Sequence, residues 1–331
     1  MLESYTNSLI FSIKQWGGKI NRPIDSIYLG GGTPSLLNHR LPDVLNAVKE
    51  NFKVLNDAEI TLEINPANNI EEILKNAANA GVNRISIGAQ SGNDRELSLL
   101  GRTHTAADTK STVKLAKKMH FSNISLDIML GLPNSNNQTL KESLDFLMEL
   151  DPTHISAYIL KIEPNTLLHK NLNNLNLPDD DQIAEQYLFM CEYLKEKQFS
   201  HYEISNFCKE GFKGKHNLKY WQCEEYLGIG PSAHSFLNSE RFFYPNDLKA
   251  FVNGNSTVFD CLGGDQKEQI MLALRLKDGY TFKEGIPETV LNKCKLLQKN
   301  KLLEIEQNRI FLTENGMLVS NSIITELLEC F

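Results

Sequence analysis

The sequence lacks paired cysteines. Its six cysteines, Cys191, Cys208, Cys223, Cys261, Cys294 and Cys330, are scattered over 331 residues with no CxxC spacing. That argues against a disulfide framework and suits a reducing compartment, so the expected location is cytoplasmic. No apolar run approaches the ~20 residues of a membrane span. The first residues carry no basic start followed by an apolar core, so no signal peptide is expected. Low-complexity segments are missing as well. Positive charge is in deficit: the formal net charge is −7, which argues against a general binder of nucleic acid or of an anionic membrane. The hydrophobic fraction of 41% is enough for a core. The length accommodates one large domain, or one large and one small.

What is present is organised around Ser26 to Pro34, SIYLGGGTP. Ile27, Tyr28 and Leu29 read as a short buried strand, followed by Gly30, Gly31 and Gly32, then Thr33 and Pro34. Glycines permit positive φ and let a ligand approach the main chain closely. The N–H groups exposed in such a turn suit a carboxylate or phosphate.

A regular alternation follows. Strands are expected at Glu59 to Ile64, Arg84 to Ala89, Asn123 to Met129 and His154 to Leu160. Helices are expected at Ser4 to Trp16, Asp43 to Asn51, Ile70 to Ala80, Ala106 to Met119, Leu140 to Glu149 and Gln182 to Lys197. Strand and helix alternating at about 30 residues predict right-handed βαβ units and a parallel sheet. Ligands of such sheets sit at the carboxyl ends of the strands. Those ends carry the glycine turn, Glu63, Gln90 and Asp127. Any one of them reads equally well as a strand or helix cap; the four together point to a site.

HYEISNFC, from His201, reads as one more strand, and 211–236 as irregular chain close to the site. Asn165 to Asp181 is a polar, Asn-rich connection. From Gly264 the pattern changes to helices and a hairpin, Leu302 to Ile305 with Arg309 to Leu312, and Thr313 caps a last helix. This looks like a winged-helix module. Its balanced charge disfavours DNA, so a docking or lid role is the better reading.

GGGTPS, EITLEINP, GVNRISIGAQS, LGRTH, SLDIMLGLP, HISAY, YEISNF, HNLKYW and YLGIGPSAHSF occur in this order. Together they resemble the oxygen-independent coproporphyrinogen oxidase-like radical SAM proteins, in particular their heme-chaperone branch. The resemblance runs from Ser26 to Phe236 and continues more weakly beyond. It implies an α/β fold: a partial (β/α)6 TIM-like barrel of the radical SAM type, followed by a small winged-helix-like α+β domain. The implied division is a barrel over 1–180, an extension with the HNxxYW region over 181–263, and the C-terminal module over 264–331.

The resemblance also implies S-adenosylmethionine at the barrel end. Gly31, Gly32 and Thr33 would meet its methionyl part, Glu63 its ammonium or a ribose hydroxyl, and Gln90, Arg102 and Asp127 the rest. Relatives open with a first strand and a Cys-x3-Cys-x2-Cys loop holding a [4Fe–4S] cluster. This chain starts on the helix after that loop, lacks that strand, and has no cysteines at cluster spacing. A truncated start is the expectation. Gly92 stands where relatives usually carry an aromatic residue, and Ser232 where they carry glycine.

HNLKYW matches a pattern associated with heme in that branch. His216 would be the iron ligand, with Tyr220 and Trp221 against the porphyrin. Residue chemistry alone also allows a histidine that caps a backbone group. His234 is a lesser heme candidate, His154 reads as structural, and His104 is undecided. The resemblance implies a heme chaperone that passes heme to an acceptor protein, without nucleic acid and with peripheral contact to respiratory proteins possible at most. The alternatives are the coproporphyrinogen III oxidase itself and an inactive truncated relative.

Overall fold

The computed structural model describes residues 1–66, 69–164, 166–254 and 256–331. Asn165, which opens the Asn-rich connection, lies outside the described residues. In chain order the strands are β1 (Ile24–Leu29), β2 (Val54–Ile64), β3 (Arg84–Gln90), β4 (Asn123–Leu130), β5 (His154–Ile159), β6 (Ser200–Glu203), β7 (Asn206–Cys208), β8 (His234–Leu237), β9 (Glu240–Phe243), β10 (Val258–Leu262), β11 (Tyr280–Thr281), β12 (Leu303–Glu306) and β13 (Arg309–Leu312). The large sheet has the order β1-β2-β3-β4-β5-β7-β6, and two three-stranded sheets have the orders β10-β9-β8 and β11-β13-β12. No helix among the described residues is long and apolar enough to cross a membrane.

The chain divides into two units. The first comprises Met1–Glu63, Glu71–Arg84 and Gly214–Leu272. In it β1 runs parallel to β2, with Ser26 opposite Glu59 and Tyr28 opposite Thr61. The helices Leu2–Gly17 and Leu41–Asn51 pack together through apolar stripes that include Leu9, Ile13, Val44 and Leu45. Both stripes follow the helical period of the sequence. Trp16 stacks on Phe242 at 5.4 Å and donates to the Tyr244 hydroxyl at 3.0 Å, which fastens the first helix to the β8–β9–β10 sheet.

The second unit comprises Ile64–Ile70, Ile85–Lys213 and Ala273–Phe331. β4 and β5 are parallel, with Asp127 opposite Ser156. Its long helices start on side-chain caps. Thr105 with Asp108, Asn136 with Thr139, and Asp179 with Gln182 each form a reciprocal capping pair. Such pairs satisfy N–H groups that a helix start leaves open. Thr313 caps the helix Glu314–Leu318 through the Gly316 N–H, as its position predicts.

Two expectations need correction. The HYEISNFC stretch is two strands, not one: β6 and β7 are antiparallel and turn at Ile204 and Ser205. β7 also runs antiparallel to β5. The large sheet is therefore mixed rather than wholly parallel, because a two-residue connection is far too short for a parallel crossover. The region 211–236 is not wholly irregular either, since HNLKYW folds as the helix Lys215–Trp221.

Phe207 on β7 is fully buried and stacks on His201 with centroids 4.2 Å apart. Phe207→Ala is expected to destabilise the protein by about 3–5 kcal/mol, read as a fall in the urea midpoint of the second unit.

Candidate functional site

The site in the first unit is built on the period-two alternation of two neighbouring strands. Ser26 and Tyr28 share a face of β1, as Glu59 and Glu63 do on β2. The Tyr28 hydroxyl donates to Glu63 Oε1 at 2.5 Å, and the Gly31 N–H donates to Glu63 Oε2 at 3.2 Å. Gly31 sits at φ +105°, open to glycine and costly to other residues. A Cβ on Gly30 would lie 2.4 Å from the Tyr28 ring, so the turn rests directly on that ring. A Cβ on Gly31 or Gly32 would meet nothing within 4 Å. These glycines and Thr33 are exposed, and Thr33 precedes the 3-10 helix Pro34–Arg40 without a side-chain cap bond. The result is a bare main-chain cradle beside a carboxylate, which fits a ligand that carries both an anionic and a cationic group.

His216 stands on the other side of Tyr28. The two rings stack at 5.1 Å with an interplanar angle of 20°. His216 Nδ1 is 3.0 Å from Ser26 Oγ, and its Nε2 is 2.7 Å from the Tyr220 hydroxyl. Glu59 accepts the backbone N–H groups of Lys215 at 3.0 Å and His216 at 3.2 Å. It thereby caps a helix whose own Gly214 offers no side chain. Burial, reinforced by the Lys219 ammonium, lowers the His216 pKa to about 4. Burial also raises Tyr220 to about 12. At neutral pH the imidazole is therefore uncharged and the phenol protonated. Tyr220 packs edge-on against Tyr226 at 4.5 Å, and the Arg241 guanidinium, paired with Glu268, donates to the Tyr226 hydroxyl.

In the second unit, Arg102 donates to Asn65 Oδ1 at 3.3 Å. Gly88 leaves room for both Asn65 and Gln90: a Cβ there would lie 2.9 Å from Asn65 Oδ1 and from Gln90 Nε2. Gln90 itself is held at φ +66°, a conformation uncommon outside glycine. Asp127 Oδ1 accepts from Ser86 at 3.3 Å. Arg102 and Gln90 thus gather around Asn65, while Asp127 has Ser86 beside it.

Residues 12–147 match the model of the Radical SAM superfamily. The heme chaperone HemW of Lactococcus lactis is 32% identical, over 99% of this chain and 90% of its own length. HemW of Haemophilus influenzae is 44% identical, over 94% of this chain and 83% of its own length. The chain belongs to the HemW family of radical SAM proteins. Escherichia coli coproporphyrinogen III oxidase HemN, a radical SAM enzyme, shares the fold at a TM-score of 0.81. The match covers 99% of this chain and 82% of HemN at 19% identity.

Gly92 and Ser232, the two expected departures from the family pattern, each sit in a defined local setting. At Gly92 an added Cβ would lie 2.9 Å from the Phe146 side chain, so Phe146 already fills that space. Ser232 is held at φ +64°, the conformation for which glycine is the usual residue. The described residues offer no ligand set for the [4Fe–4S] cluster that the family implies. Cys191, Cys208 and Cys294 are buried free thiols, and no three His, Cys, Asp or Glu side chains gather for a metal among the described residues.

The remaining histidines are placed as follows. His154 is buried between Ser125 Oγ at 2.7 Å and the Tyr202 hydroxyl at 2.8 Å, a structural role as expected. His104 is buried with Nε2 3.4 Å from the Ala89 carbonyl. His234 is exposed and stacks on Phe243. Ser26, Tyr28, Glu59, Asn65 and Ser86 are partners that sequence motifs alone did not single out. For Ser26, Tyr28 and Glu59 the polar residues spaced by two in SIY and EITLE were the visible trace.

His201, like His216, has its pKa lowered to about 4 by burial. The folded state refuses protons that the unfolded chain accepts between pH 6.5 and 4. Stability present above pH 6.5 is therefore lost progressively as the pH falls through that window. At most about 3 kcal/mol is lost per histidine. Denaturant midpoints measured from pH 7 to pH 4 are expected to fall, and His201→Gln is expected to flatten the curve.

Proposed function

We propose that this protein is a heme chaperone of the HemW type. It takes up heme at His216 and delivers it to an acceptor protein, with S-adenosylmethionine held at the glycine turn. The observation that carries the reading is the state of His216. Iron is bound by a neutral imidazole, and this one is neutral and held at both nitrogens by hydroxyls that can let go. On this reading Tyr220 releases Nε2 to the iron, Ser26 keeps Nδ1 oriented, and Trp221 faces the porphyrin.

The S-adenosylmethionine residues in this proposal are Gly31, Gly32, Thr33 and Glu63, with Gln90, Arg102 and Asp127. The carboxylate of Glu63 suits the ligand's ammonium and the Gly31–Gly32 main chain its carboxylate. When bound, the ligand contributes a cationic sulfonium and an adenosyl group. The residues here bind and orient it. The fold reading is a partial radical SAM barrel over 1–180, an extension carrying the heme residues over 181–263, and a winged-helix-like docking module over 264–331. The place of action is the cytoplasm.

Titration of the full chain with hemin, followed in the Soret region, is expected to show a histidine-ligated spectrum. His216→Ala should weaken binding at least about tenfold, or 1.4 kcal/mol; an unchanged spectrum and affinity would remove His216 from the assignment. Calorimetry with S-adenosylmethionine is expected to show a comparable loss in Glu63→Ala, and unchanged heats would remove Glu63.

A further inference from the structure

Tyr28 has one end in each of two proposed sites. Its hydroxyl donates to Glu63 Oε1 at 2.5 Å, and its ring lies against His216 at 5.1 Å. Gly30 holds the turn down on the same ring. The His216 ring is held by three neighbours: Ser26 Oγ at 3.0 Å, the Tyr220 hydroxyl at 2.7 Å and the face of Tyr28. The side chain with the best view of both ligands therefore belongs to neither ligand set.

We infer that Tyr28 couples the two sites, so that S-adenosylmethionine at the glycine turn strengthens heme binding at His216. The inference rests on the reading of both sites given above. A cationic ligand that engages Glu63 competes for the carboxylate that now accepts the Tyr28 hydroxyl. A short bond to an ionised acceptor is worth about twice a neutral one, so its loss is felt by the tyrosine. Tyr28 then tilts away from its present position. His216 loses its flat neighbour, and its ring is free to turn Nε2 from Tyr220 towards iron. Each ligand thus favours the same displaced arrangement of Tyr28, and coupling of this kind is reciprocal.

The test is the hemin affinity of the full chain, read from the Soret band, without and with saturating S-adenosylmethionine. The expected result is hemin binding roughly fivefold or more tighter with the second ligand present, the low end of measured couplings. Calorimetry should give the same factor for S-adenosylmethionine when hemin is present. In Tyr28→Phe, which keeps the ring and loses only the hydroxyl, the factor should fall to one. A wild-type affinity that is unchanged or weakened by S-adenosylmethionine overturns the coupling, as does a factor that survives in Tyr28→Phe. Hemin binding that persists undiminished in a folded His216→Ala variant overturns the heme site and the coupling with it. The first two results leave the site reading standing, so the failures are distinguishable.

Discussion

Two carboxylates four residues apart on β2, Glu59 and Glu63, hold the site of the first unit together. A carboxylate drawn out of water has to be met by donors, and main-chain N–H groups with nowhere else to go are good ones. Glu59 takes those of Lys215 and His216; Glu63 takes that of Gly31 along with the Tyr28 hydroxyl. One acid thereby starts the short helix that carries the histidine, and the other anchors the glycine turn. With an apolar residue at either place, the N–H groups would face a strand with nothing to accept them.

That arrangement suits a carrier better than a permanent holder. On the proposed function, the imidazole must bind iron and later give it up. The hydroxyls of Ser26 and Tyr220 already occupy both nitrogens, so neither nitrogen of this imidazole lacks a hydrogen-bond partner. Cargo leaving the site meets a ready-made substitute, and release is less uphill than from a bare ligand. Tyr220 remains protonated near neutrality because burial holds its pKa at about 12. It therefore competes as a hydrogen-bonding phenol and not as a phenolate ligand.

The fold was legible wherever period and capping agreed. The strands Arg84–Gln90 and Asn123–Leu130 and the helix Ile70–Ala80 stand where alternation, helical spacing and Gly81 predict them. The β6–β7 hairpin was hidden because Ile204 and Ser205 carry no glycine or proline to mark the turn. The helix Lys215–Trp221 was hidden for a different reason. Its cap is Glu59, far away in sequence, and its seven residues are too few to show a period. For the site, the glycine turn and Glu63 were visible as polar strand ends. Ser26, Tyr28 and Glu59 were written in the same alternation, but their role depends on which strand lies beside which helix, and no local pattern states that.

The separation between Glu59 and His216 also sets an order of events during synthesis. A helix of seven residues does not persist alone in water, and this one begins on an acid 157 positions earlier in the chain. A ribosome that has made β1 and β2 has already placed Ser26, Tyr28 and both carboxylates. It then makes the whole of β3 to β7 before the histidine emerges. Until that late segment folds back onto the early strands, the nascent chain presents a glycine turn without the imidazole beside it. The proposed heme-binding face is thus completed only after β3 to β7 have been made.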